Sequence, residues 1–165
     1  MELVGVEKLG LACEKFPMPV RVKIGAKKHV YDVRNGTYVG ETDAIPMTFT
    51  GLDVALYSML PYAVKGVSID APASVTRGEA LAIRAAVDAG GAKGLATHVL
   101  RVELIPPSGE SPERFAPVQF QLKDAKDGRL ETAIQTAFND EPGNWTLIVT
   151  DVATGAQKKR VVRFN

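Results

Sequence analysis

Apolar and polar residues alternate at period two in short runs along most of the chain. This alternation is typical of β-strands with one buried face, and Gly, Pro, Asn and Asp bound the runs as turn residues. Such spacing indicates antiparallel sheets rather than parallel βαβ units. The pattern predicts an all-β chain with strands at residues 19–25, 28–33, 37–42, 45–50, 54–60, 63–70, 80–87, 97–105, 118–123, 128–135, 144–152 and 158–164.

Only the alanine-rich segment GEALAIRAAVDAGGAKG, residues 78–94, has a composition that suits a helix. Its larger apolar residues Leu81, Ile83 and Val87 nevertheless keep period two, so we predict a strand. The GGAKG at its end matches neither GxxxxGK[ST] nor GxGxxG, which phosphate-binding loops require. We therefore interpret GGAKG as a strand connection.

Two hairpins are legible. In VYDVRNGTYVG, a two-residue turn at Asn35-Gly36 is predicted, with Tyr31 and Tyr38 on one face. In the C-terminal segment, a two-residue turn at Thr154-Gly155 would place Trp145 opposite Phe164. A three-residue loop with Gly155 in a bulge is the alternative, and it shifts those partners by one residue.

The strand rhythm changes near Pro61-Tyr62, where we place a domain boundary. Residues 1–62 are expected to form a small antiparallel β domain with few strands for independent stability. This domain either completes a larger sheet or packs against the second domain. Residues 63–165 have the length and strand rhythm of an immunoglobulin-like, fibronectin III-like sandwich of seven strands.

Charge and composition exclude several classes of partner. The 20 basic and 19 acidic side chains nearly cancel, so we expect neither nucleic acid nor a membrane surface as a partner.

The single cysteine, Cys13, is expected to be a buried apolar residue. Glu2 and Glu7 do not suit a secretion signal. The abrupt start suggests a piece of a longer protein, whose compartment the sequence leaves unknown.

No catalytic constellation is evident. His29 and His98 lie far apart on predicted strands, and no serine fits GxSxG. A carboxylate pair for glycoside hydrolysis cannot be located from an all-β sequence. The loop Asn139–Glu141 offers oxygen ligands, but not at the spacing of a calcium-binding loop. We predict no catalytic residue, no metal and no cofactor.

The remaining candidates are aromatic. Tyr31 and Tyr38 share a face of the first hairpin, where exposed rings would stack on sugars. Aromatic residues that alternate with valine in a strand more often pack in a core. Both interpretations stay open, with Tyr31 and Tyr38 as the candidate carbohydrate-binding residues.

The run HVYDVRNGTYVGETDAIPMTFTGLDVALYSMLPY, residues 29–62, resembles the small β domain that closes many large bacterial glycoside-hydrolase-like proteins. The next segment, from VKGVSIDAP to NWTLIVTDVATG, resembles the immunoglobulin-like modules appended to those proteins. The motif PGxWxLxVxDxxTG also recurs in other sandwich domains, including those of macroglobulin-like proteins.

The resemblance implies a non-catalytic accessory module from the C-terminal part of a larger carbohydrate-active protein. Its catalytic barrel would lie upstream, and the rest of that polypeptide would be the partner. The alternatives are a carbohydrate-binding module with polysaccharide as partner, and a surface-protein or macroglobulin-like interaction domain. Oligomerisation is compatible with all three.

Overall fold

A computed structural model of the chain describes residues 1–7, 17–50, 54–109 and 120–165. These residues form strands, turns and loops, which confirms the all-β prediction. The alanine-rich segment is a strand, Ala80–Asp88, as its alternation predicted. Cys13, residues 51–53 and residues 118–119, which begin a predicted strand, lie outside the described residues.

The chain divides into two compact units. The first consists of Met1–Ala63 together with Ala153–Gly155, and the second of Val64–Val152 with Ala156–Asn165. Each unit has its own cluster of buried apolar side chains.

In the first unit four strands form one antiparallel sheet in the order β1-β4-β2-β3. The strands are β1 Glu2–Glu7, β2 Met18–Asp32, β3 Thr37–Phe49 and β4 Val54–Leu60. The sequence predicted four strands between residues 19 and 50, but the structure has two long strands there, β2 and β3. The β2–β3 ladder shifts register between Lys23 and Lys28 without ending, and Gly25 there has a φ of +86°. A bulge bends a strand without breaking it, which explains the difference.

The core of the first unit is small and built from alternate strand residues. Val30 and Ile45 are completely buried, and Tyr57 and Met59 pack with them. Burial of a Val or Ile side chain stabilises a fold by about 1.5 to 3 kcal/mol. These side chains therefore hold the β2–β3 ribbon against β4.

The predicted two-residue turn of the first hairpin is wrong. Asp32 pairs with Thr37 and Tyr31 with Tyr38, so the loop contains four residues, 33–36. The Asp32 carboxylate accepts hydrogen bonds from the backbone N–H of Arg34 and of Asn35, both at 3.0 Å, and from Asn35 Nδ2 at 2.7 Å. These bonds stabilise the wider loop. Next to the loop the register differs by two residues, so Tyr31 and Tyr38 keep their predicted common face.

The second unit is a two-sheet sandwich. One sheet has the order β10-β7-β5 and the other β6-β12-β11-β8-β9. The remaining strands are β5 Gly66–Asp70, β6 Ser74–Val75, β7 Ala80–Asp88, β8 His98–Ile105, β9 Phe120–Ala125, β10 Arg129–Gln135, β11 Gly143–Asp151 and β12 Gln157–Phe164.

This arrangement agrees with the predicted immunoglobulin-like fold, except that a short strand, β6, which was not predicted, follows the first of the seven predicted strands. β5 pairs with β7 in the smaller sheet, whereas β6 pairs in parallel with β12 in the larger one. Pro72 lies between them and has no N–H for a ladder hydrogen bond. The chain therefore crosses from one sheet to the other at this point.

The sandwich core agrees with the period-two pattern. Its completely buried members include Leu81, Leu100, Val102, Leu147 and Val149. Trp145 stacks on Phe164 with ring centroids 4.6 Å apart and an interplanar angle of 15°. Its indole N–H donates to the Glu141 carbonyl at 2.7 Å, which satisfies the polar atom of a buried ring.

The β11–β12 hairpin also differs from both predicted loops. Trp145 pairs with Val162, and the Asp151 N–H donates to the Ala156 carbonyl at 2.8 Å. The loop 152–155 again has four residues. Both hairpins share the sequence D-V-x-x-G, in which the Asp precedes the loop and the Gly is its last residue. Both glycines have a positive φ, +61° at Gly36 and +76° at Gly155.

Candidate functional site

The two tyrosines selected from the sequence lie side by side in the first unit. Tyr31 on β2 pairs directly with Tyr38 on β3. Their ring centroids are 5.0 Å apart and the rings are tilted by 47°. Tyr31 is 4% exposed, whereas Tyr38 is 52% exposed. The buried ring thus supports the exposed one from the core side.

A third ring fixes the exposed tyrosine. His29 Nδ1 lies 2.8 Å from the Tyr38 hydroxyl oxygen, and the two ring centroids are 6.0 Å apart. Beside this pair the ladder contains a bulge, because Val30 pairs with Gly40 and Val39 has no partner in β2. Bulges rotate neighbouring side chains. Here the bulge lies next to Tyr38.

The three rings form a small aromatic surface that we call the tyrosine platform, defined by His29, Tyr31 and Tyr38. Only Tyr38 presents a large part of its ring to solvent. Of the two interpretations of the sequence, burial applies to Tyr31 and exposure to Tyr38. Such an exposed, supported ring suits stacking on an apolar or sugar face.

On the adjoining strand β4, the pKa of the Tyr57 phenol is raised above its usual value. Tyr57 on β4 pairs with Asp32 on β2. Burial raises the pKa of Tyr57 above its usual value, and the Asp32 carboxylate raises it further. Both effects disfavour the phenolate.

The second unit contains a polar pair that the sequence analysis missed. His98 at the start of β8 and Asp151 at the end of β11 are both completely buried, and His98 Nδ1 lies 2.9 Å from Asp151 Oδ1. A histidine and a carboxylate at this distance are the parts of a catalytic dyad. Neither side chain is accessible to a substrate in this structure.

The alternation of the strands contained a signal for this pair. His98 has the same parity as Leu100 and Val102, and Asp151 has the parity of Leu147 and Val149. Both polar residues were therefore on core faces. Buried polar groups need hydrogen-bond partners. The parity of either residue therefore indicates that it requires a buried polar partner.

The acidic loop considered for calcium uses its oxygens internally. Asp140 Oδ2 accepts from the Ala137 N–H at 2.7 Å, and Glu141 Oε2 accepts from the Ser108 N–H at 3.4 Å. No group of three or more His, Cys, Asp or Glu side chains suited to a metal occurs in the described part of the chain. Within the same residues, no helix is long and apolar enough to cross a membrane.

No family model and no curated protein matches this sequence. Among solved structures, a crystal structure of a mutant alpha-2-macroglobulin from Salmonella aligns with 97% of this chain at 9% identity and a TM-score of 0.44. This chain spans 16% of that macroglobulin chain.

Proposed function

We propose that this chain is a non-catalytic accessory module of a larger carbohydrate-active, glycoside-hydrolase-like protein, in which it packs on or spaces the catalytic domain. Two features support the proposal. The first is the resemblance of residues 29–62 to closing modules of such proteins. The second is the immunoglobulin-like sandwich of the second unit.

The observation that carries the non-catalytic part is the burial of His98 and Asp151. A general base must reach the proton that it abstracts, and both of these side chains have no exposed area. The other histidine, His29, is engaged with the Tyr38 hydroxyl at 2.8 Å. The most reactive side chains described therefore serve packing and the tyrosine platform.

A turnover screen of the purified chain tests this part. Chromogenic glycosides and esters are incubated with the chain over a range of pH, and we expect no saturable turnover above the rate in buffer. The matched control is a His29→Ala variant. Saturable turnover that this substitution abolishes would contradict the proposal.

A second function, glycan contact, is favoured by one observation. The ring of Tyr38 is exposed while Tyr31 and His29 hold it in place, so little side-chain entropy is lost on binding. In this case the module would bring polysaccharide to its parent protein, with Tyr38 as the stacking residue.

Affinity gel electrophoresis in soluble polysaccharides tests the second function. We expect retardation of the wild-type chain, loss of retardation in Tyr38→Ala, and partial loss in Tyr38→Phe, which keeps the ring but not the bond to His29. Phe138→Ala is the matched control, because Phe138 is an 83% exposed aromatic of the other unit. Equal retardation of all four proteins, or of none, would exclude this role.

A further inference from the structure

A cluster of three cations lies at one turn of the sandwich. Lys93 belongs to the connection between β7 and β8, while Lys126 and Arg129 flank the turn between β9 and β10. All three line one depression of about 390 Å³, with Leu95 and Asp127 also in its wall. All three side chains are on exposed residues. We call this the basic depression.

The tight turn makes two of these cations neighbours. Asp127 and Gly128 have φ values of +49° and +70°, so they form the two-residue hairpin turn of the primed type. Lys126 and Arg129 then face each other directly across the ladder, with the Arg129 N–H donating to the Lys126 carbonyl at 2.9 Å. Residues directly opposite in an antiparallel pair project on the same side, and like charges there are destabilising.

Elsewhere the same unit pairs opposite charges. Arg84 lies across from Glu131 and Asp70, at 3.3 and 3.9 Å, and Arg101 contacts Glu103 at 2.6 Å. Within the described ranges, none of the three cations of the basic depression forms a salt bridge. The repulsion at this turn therefore contrasts with the charge pattern of the surrounding strands, and local conflicts of this kind occur at functional sites.

We propose that the basic depression binds a small dianionic oxyanion, a phosphate or sulfate group, through Lys93, Lys126 and Arg129. The anion neutralises the opposed pair, and the guanidinium of Arg129 offers it a fork of N–H donors. The Asp127 carboxylate opposes binding and limits its strength. The nearly neutral chain as a whole supplies no such attraction, so the local cluster determines the affinity.

Chemical-shift titration of the ¹⁵N-labelled chain with inorganic phosphate, at constant ionic strength, tests the proposal. We expect saturable shifts confined to amides near residues 92–95 and 126–129. The double variant Lys126→Gln/Arg129→Gln should weaken binding by about tenfold or more for each cation lost. Lys159→Gln, an exposed lysine of β12, is the matched control and should leave the affinity unchanged.

Asp127→Asn distinguishes an anion site from a turn with a structural role alone. If the basic depression binds phosphate, removal of the opposing carboxylate should tighten that binding. A parallel titration with a monosaccharide phosphate ester distinguishes a free anion from a group carried on a sugar. Saturable binding of either probe at these amides supports the site. Uniform, non-saturable shifts, or equal affinity in the double variant, would overturn the proposal.

Discussion

The buried pair of His98 and Asp151 makes the sandwich sensitive to a single substitution. Asp151→Ala removes the partner of His98 Nδ1 at 2.9 Å inside a core where both side chains have no exposed area. An unsatisfied buried polar group costs about 1 to 3 kcal/mol, and the lost hydrogen bond adds about 1 kcal/mol. We expect a loss of about 2 to 4 kcal/mol in the free energy of unfolding.

The two positions should also be strongly coupled. His98→Leu removes the ring that contacts the Asp151 carboxylate and should cost a similar amount. When both partners are replaced by apolar residues, no polar atom of the pair is left unsatisfied. The double variant should therefore cost less than the sum of the single variants by about 1 to 3 kcal/mol.

Trp145 provides the assay, because it is the only tryptophan of the chain and lies in the same core. Urea unfolding monitored by its fluorescence gives the free energy of unfolding, and an unchanged m-value keeps the comparison valid. Lys159→Ala, an exposed change, should stay within about 0.5 kcal/mol of wild type. Additive single costs, or single costs below about 1 kcal/mol, would refute the reasoning.

Two further outcomes concern turn geometry and pH. Gly128→Ala should destabilise the sandwich by about 1 to 3 kcal/mol in urea unfolding, because φ is +70° and the new Cβ would lie 2.7 Å from Leu95 Cδ2. Gly91→Ala, with φ of +89° and open space, should cost about 1 kcal/mol, and a larger loss in Gly91→Ala than in Gly128→Ala would contradict this account. Because burial and Asp32 raise the pKa of Tyr57, the neutral phenol stabilises the first unit below the unfolded pKa of about 10. This contribution should be lost as pH rises through the folded pKa. Tyr57→Phe should show a weaker loss of stability above pH 10 by circular dichroism, and an unchanged pH profile would count against it.

The alternation of apolar residues was sufficient for the all-β class and for most strand positions. It misplaced the ends of β2 and β3, because a ladder that continues through a bulge at Gly25 looks, in sequence, like two strands and a turn. It also shortened both hairpin loops. Asn35-Gly36 is a strong two-residue turn signal, but the hydrogen bonds to the Asp32 carboxylate belong to a four-residue loop.

The candidate site was predictable only in part. Period two placed Tyr31 and Tyr38 on one face, and a register error of two residues does not change that result. Their different exposures depend on the strand order, since β2 lies inside the sheet and β3 lies at its edge. The pairing of His98 with Asp151 required the order of strands in the sheet, since 53 residues separate them. Core parity contained a signal for the burial of each residue that the sequence analysis did not use, and only the topology identifies the partner.

The accessory role is tested most directly by the reading frame that encodes this segment. The proposal predicts that the frame extends upstream of Met1 through several hundred residues whose pattern alternates strands with helices, as a catalytic barrel requires. A frame that begins at Met1 and ends at Asn165 would contradict the accessory role. Glycan contact by Tyr38 would then be the function to pursue.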